Sequence, residues 1–150
     1  MVRFKNRWIL VEFLPLPFPN QQSTTLNSKQ IYAALKQSII VNFGDAGWGA
    51  VGSSLNVKYF SPATNICIVR VARDPHRIAW GAVTYLSSIE GQKYIPNVVH
   101  VSGTIKHAQL AAIKHNREVV ARYRARSNVG SNSYEEYLAK STAEIESLQD

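Results

Sequence analysis

The feature that most constrains this chain is the order in which its apolar periodicity switches between strand and helix. Residues 7 to 13 form an apolar, branched run that predicts a strand, with Ile9, Val11 and Phe13 on one face and Trp8, Leu10 and Glu12 on the other. Three prolines and a polar loop from Asn20 to Asn27 follow. From Ser28 to Phe43 the spacing becomes helical: Ile31, Leu35 and Ile39 recur every four residues, Asn27 or Ser28 can cap, and Gly44 is placed to end the helix. The glycine-rich stretch Gly44 to Gly52 reads as turns. Leu55 to Phe60 and Ile66 to Ala72 predict a strand pair, and Asp74 with Pro75 opens a second helix that buries Ile78, Ala82, Leu86 and Ile89 before Gly91. Val98 to Ser102 is a further strand, and a long helix runs from about Thr104 to about Arg126.

Two βαβ halves in that order fold most economically as a ferredoxin-like, α+β two-layer sandwich of the RRM-like βαββαβ kind, with an additional C-terminal helix. Residues 1 to 126 are expected to form this one domain, and residues 127 to 150 an acidic, loosely held tail. Alternation places Val99 and Val101 with Ile9, Val11 and Phe13 beneath the helices. Trp8, Leu10, Phe60, Ile66 and Ile68, beside Lys58 and Arg70, would then fill the opposite face. So much apolar surface needs cover, either from the last helix or from a partner protein, and the chain alone is expected to be poorly soluble.

Charge narrows the function. Residues 1 to 126 carry 16 basic and 5 acidic side chains, a net +11, whereas residues 127 to 150 carry one Lys and five acids, a net −4. A body so basic calls for a polyanionic partner. Cys67 is the single cysteine, which excludes a disulfide framework and a thiolate metal cluster. Prolines and Glu12 interrupt the first apolar run, so neither a signal peptide nor a membrane span is expected, and the protein reads as soluble and intracellular.

Groups able to do chemistry are scattered. His107 and His115 are eight residues apart on one predicted helix and cannot share a metal; a two-histidine ribonuclease would need His76 and His100 to meet. The body's carboxylates, Glu12, Asp45, Asp74, Glu90 and Glu118, are dispersed, against a metal-dependent nuclease. Cys67 sits mid-strand as a small hydrophobe. The segment from Gly44 to Gly49 lacks the Lys-Ser or Lys-Thr ending of a phosphate loop.

The basic residues are better organised. Arg3, Lys5 and Arg7 alternate before the first strand and point the same way if extended. In Ser102-Gly103-Thr104-Ile105-Lys106, a hydroxyl can cap the long helix, Gly103 admits another group closely, and the helix start offers free N–H groups to an anion. Further along, Lys106, Arg117 and Arg124 project within about 20° of one another at ~100° per residue, with Lys114 on the flank. With Lys58, Arg70 and Arg73 these are the expected RNA contacts. The third strand, Ile66 to Ala72, has no aromatic, so bases are not expected to stack there and backbone recognition fits better.

The same segments resemble the Pop-five family of subunits of ribonuclease P and ribonuclease MRP. Val2-Arg3-Phe4-Lys5-Asn6-Arg7-Trp8 fits the family's basic Val-Arg-x-Lys-x-Arg followed by an aromatic. Phe43-Gly44-Asp45 with Gly47, Val57-Lys58-Tyr59-Phe60, Ile68-Val69-Arg70 and Val101 to Lys106 match further family segments in order, across roughly residues 1 to 120. Trp8 stands where tyrosine is usual, and the tail from Ser127 matches nothing in the pattern. The resemblance implies a non-catalytic protein that supports a catalytic RNA, with Mg²⁺ held by that RNA and no cofactor bound by the protein. It implies ribonuclease P RNA and ribonuclease MRP RNA as partners, with a TIM-barrel-like subunit, a second small subunit of similar fold, and precursor tRNA indirectly. Trp8 joins the expected RNA contacts on this ground. The implied tasks are 5′ maturation of precursor tRNA and pre-rRNA processing, in the nucleus and nucleolus. Another basic RNA-binding or ribosomal protein of this fold, or a protein-only ribonuclease, are the alternatives.

Overall fold

The computed structural model describes residues 5–16, 26–126 and 132–149. Five strands, β1 (Asn6–Pro15), β2 (Asn56–Ser61), β3 (Ile66–Ala72), β4 (Ser88–Ile89) and β5 (Gln92–Ser102), form one antiparallel sheet in the order β2-β3-β1-β5-β4. Helices α1 (Ser28–Val51) and α2 (His76–Thr84) make the two crossovers, and α3 (Ile105–Arg126) and α4 (Asn132–Glu146) follow the sheet. Setting aside the two-residue β4, the order is that of a ferredoxin-like sandwich, and the α+β class expected from the pattern holds.

Each sheet face has its own core. On one, Ile9, Val11, Phe13, Cys67, Val69 and Val71 pack against Ile31, Leu35 and Ile39 of α1 and Ala79, Ala82 and Val83 of α2. On the other, Trp8, Leu10, Tyr59, Ile66 and Ile68 pack against Ala108, Ala112 and Ile113 of α3 and Ile145 of α4. Each large side chain so enclosed contributes roughly 1.5–3 kcal/mol of transfer free energy. The second face is therefore covered by the chain's own α3 and α4, and the expectation of an open apolar face is resolved in favour of the last helices.

Local departures from the sequence reading have identifiable causes. Leu10 pairs with His100 but Val11 with Val98, so Val99 is a bulge residue, and Val99 packs toward α3 while Val98 and Val101 pack toward α1 and α2. A second shift, between Val57 and Tyr59, makes Lys58 the extra residue in β2 and puts Tyr59, rather than Phe60, on the α3 face. Gly44 does take a left-handed φ of 72°, but helix resumes beyond it, so Asp45 to Val51 are helical rather than turns. Asp74 does not cap α2: no side-chain cap bond is made, and its carboxylate meets Arg73 Nε at 3.3 Å. The second helix stops at Thr84, and Ile89 lies instead in a hairpin whose turn, Glu90-Gly91, has both φ angles positive. Residues 132 to 146, expected to be loosely held, form α4 with Ser141 and Ile145 buried.

Candidate nucleic-acid interface

Antiparallel pairing brings the start of β1 and the ends of β3 and β5 to one end of the sheet. Asn6 pairs with Ala72, Trp8 pairs with both Arg70 and Ser102, and Asn56 of β2 pairs with Arg70. The Arg73 N–H donates to the Lys5 carbonyl at 2.9 Å, fixing the two chain segments together. Register thus brings Lys5, Arg7, Arg70 and Arg73 to the end of the sheet at which α3 begins.

That turn is built by its own side chains. Ser102 Oγ donates to the Thr104 carbonyl at 3.1 Å, and the His107 N–H donates to Thr104 Oγ1 at 3.3 Å, so Thr104 caps the helix. A Cβ on Gly103 would stand 3.2 Å from Arg7 Nη1. The bare glycine therefore lets the Arg7 guanidinium lie against the turn, where Arg7 also donates to the Asn6 carbonyl at 3.1 Å. Lys5, Gly103, Thr104 and Lys106 are exposed, and Arg7, Arg70 and Arg73 are half-buried. Arg70 Nε is shielded and makes no hydrogen bond among the described residues.

From this end the positive charge continues along α3. Lys106, Lys114 and Arg117 are exposed, and the first and last are about 16 Å apart along the axis at ~1.5 Å per residue. Such a row, joined to the cations and the helix start at the sheet end, suits the phosphates of a polynucleotide.

The structure sorts the expected contacts unequally. Arg3 lies outside the described residues. Trp8 is a correction: it is 1% exposed, wedged between sheet and α3, and cannot meet a base. Ser102 is buried, and its hydroxyl serves the turn. Lys58 sits at the β2 bulge, away from the turn in sequence register, and Arg73 is engaged by Asp74. Arg124, at the far end of the same row on α3, is engaged by α4, 3.9 Å from Glu135 and with its guanidinium 5.7 Å from the Tyr134 ring centre. The sheet face that RRM-type proteins offer to bases is occupied by α3 and α4, so bases cannot stack on it.

Other polar groups find partners that no local pattern records. Glu12 and His115, both buried, approach to 3.2 Å, an ion-pair distance without hydrogen-bond alignment, and join β1 to α3. His76 instead places Nδ1 2.6 Å from the Arg73 carbonyl, and His100 lies on β5 opposite Leu10. Among the described residues no three His, Cys, Asp or Glu side chains are grouped closely enough to hold a metal ion. Asn116 donates to Ser141 Oγ at 2.8 Å and accepts from Thr64 Oγ1 at 2.8 Å; Tyr59 and Ser141 share a bond of 2.6 Å, and Tyr137 reaches Ser61 and Thr64. Gln109 Nε2 donates to the carbonyls of Ile145 and Leu148 at 3.1 and 3.0 Å. Polar residues spread along α3 were the only signal for this clamp. Burial by α3 and α4 pushes the Tyr59 hydroxyl above its ordinary range, and burial raises the Cys67 thiol strongly.

Comparison with known proteins supplies an independent line. A model of the Rpp14/Pop5 family matches residues 7–113. The chain is 43% identical over 129 residues to the ribonuclease P/MRP protein subunit POP5 of Schizosaccharomyces pombe, covering 80% of this chain and 91% of that protein. It is 38% identical over 122 residues to the probable ribonuclease P/MRP protein subunit POP5 of Arabidopsis thaliana, covering 79% and 81%. The human ribonuclease P/MRP protein subunit POP5 is 27% identical over 121 residues, covering 78% and 70%. A chain in the cryo-EM structure of yeast ribonuclease MRP superimposes with a TM-score of 0.53 over 70% of this chain and 79% of that one, at 7% identity, a likeness of fold alone. The family match ends within α3, so Lys114, Arg117, Arg124 and all of α4 lie beyond it.

Proposed function

This chain belongs to the Rpp14/Pop5 family, and from that membership and the geometry above we propose that it is a non-catalytic, RNA-holding subunit of ribonuclease P and ribonuclease MRP. The observation that carries the reading is the sheet end, where Arg7 lies over Gly103 beside Lys5, Arg70 and the capped start of α3. Cations clustered at this sheet end beside a helix N-terminus match the chemistry of a folded RNA backbone, and Lys106, Lys114 and Arg117 extend the track. Neutralising several phosphates lowers the electrostatic cost of folding the RNA around its own Mg²⁺ ions. The protein then contributes placement, and the RNA contributes bond cleavage.

On this reading the partners are ribonuclease P RNA and ribonuclease MRP RNA, a TIM-barrel-like protein subunit and a second small subunit of similar fold. Precursor tRNA is met only through the assembled particle. The tasks are 5′ maturation of precursor tRNA and pre-rRNA processing, and the place is the nucleus and nucleolus. The separation of His76 from His100 along the fold, and the structural pairing of His115 with Glu12, favour this over a protein-only ribonuclease.

Recovery of the tagged chain from cells, followed by sequencing of the bound RNA, tests the proposal. Enrichment of the ribonuclease P and MRP RNAs, lost on Arg7→Gln with Lys106→Gln, is the expected result. Enrichment of other RNAs alone, or cleavage of precursor tRNA by the RNA-free protein, would overturn it.

A further inference from the structure

The basic row on α3 has an acidic neighbour. Residues 132 to 149 carry Glu135, Glu136, Glu144 and Glu146 against Lys140, a net −3. The polar clamp fixes this segment antiparallel to α3, with Asn116 on Ser141 and Gln109 on the carbonyls after Ile145. At the far end Arg124 lies 3.9 Å from Glu135, which shows which flank of α4 faces the row of Lys106, Arg117 and Arg124. Glu146 is eleven residues beyond Glu135, about 20° from it in helical projection, and so shares that flank. Glu136 and Glu144 project to the other side of the inward-facing Ser141 and Ile145.

We propose that α4 is an autoinhibitory electrostatic strap: Glu135 and Glu146 line the basic row of α3 and weaken its hold on RNA that contacts α3 alone. RNA shaped to engage the sheet end as well overcomes the opposition, so the acids convert general polyanion affinity into selectivity. The Arg124–Glu135 pair, whose glutamate is exposed, adds little stability, as ion pairs near the surface do. Its consequence is instead the local potential, because charges within about 10 Å at ~0.1 M salt are felt by an approaching phosphate. This inference rests on the RNA-holding reading above.

The test compares two full-length double variants of equal net charge, Glu135→Gln with Glu146→Gln and Glu136→Gln with Glu144→Gln. Binding to an unstructured oligouridylate is followed by fluorescence anisotropy at low and high salt. The first variant is expected to bind about three- to tenfold more tightly than the parent at ~50 mM salt, the second less than twofold, with the gap closing near ~0.5 M. Circular dichroism confirms that both keep the parent's helix content. Equal gains in both variants, or a gain in neither while the parent binds, overturn the strap and leave the RNA-holding reading standing. Failure of parent and variants alike to bind removes that reading and the strap with it.

Discussion

The two faces of the sheet are sealed by different chemistry. Against α1 and α2 the contact is almost wholly apolar, aliphatic from Ile9 and Val69 to Leu35 and Ala82 and aromatic at Phe13, with Ser38 donating to the Ala82 carbonyl at 2.8 Å as a rare polar exception. Against α3 and α4 an aliphatic centre around Leu10, Ile66 and Ile68 is ringed by hydroxyls and amides: Tyr59, Thr64, Asn116, Ser141 and Gln109. Apolar packing is tolerant of detail, whereas a buried hydrogen-bond network holds only one arrangement of its members. The first face fixes the scaffold. The second fixes one particular placement of α3, and α3 carries the basic row.

The largest effect that probes this contrast is loss of the indole between β1 and α3. Trp8→Ala is expected to destabilise the chain by about 3–5 kcal/mol in chemical denaturation. Ile9→Ala, its neighbour on the opposite face, is expected to lose about 2–5 kcal/mol. A Trp8→Ala protein of parental stability with weakened RNA binding would instead place the ring on a base and break the comparison.

Next comes the polar ring. Asn116→Ala leaves the buried hydroxyls of Thr64 and Ser141 without that amide and is expected to cost about 1–3 kcal/mol. The loss should be concentrated in α4, seen as faster amide hydrogen exchange there than in α1. Uniform exchange across both faces would show that the network does not set the placement of α3 and α4.

A smaller effect is expected from alkali. The native state holds the Tyr59 proton more tightly than the unfolded chain does, so the associated stability is complete below the ordinary tyrosine value of 10.0 and declines as pH rises through and above it. Cys67 acts in the same direction. Denaturation midpoints should therefore fall above pH ~10, and less so in Tyr59→Phe. An unchanged decline in that variant would assign it elsewhere.

Much of this architecture is legible in the chain because period and burial are local. Ile66 to Ala72 reads as a strand by its branched alternation, and Asn27, seen in the sequence as a capping candidate, does accept from the Gln30 N–H at 2.9 Å. The errors cluster where one residue disturbs a period. The bulges at Val99 and Lys58 shift alternation by one, which exchanged Val99 for Val98 and Phe60 for Tyr59 in the face assignments. Gly44 reads as a stop, yet one left-handed residue only bends the path and helix continues. The candidate site was legible as residue types, since Arg7, Gly103 and Lys106 stood out by charge and turn chemistry. That Gly103 receives the Arg7 side chain, and that Trp8 is core, depend on pairing between segments some ninety-five residues apart, which no local pattern records.

The central claim is that the sheet end and α3 hold RNA through its phosphates, and the salt dependence of binding tests it most directly. Contact with about six phosphates predicts a slope of log affinity against log salt near −4 to −6 for the chain, alone or with its protein partners. Arg7→Gln with Lys106→Gln should make that slope shallower by about two. A steep slope that the double variant leaves untouched, or a flat one in the parent, would contradict the account.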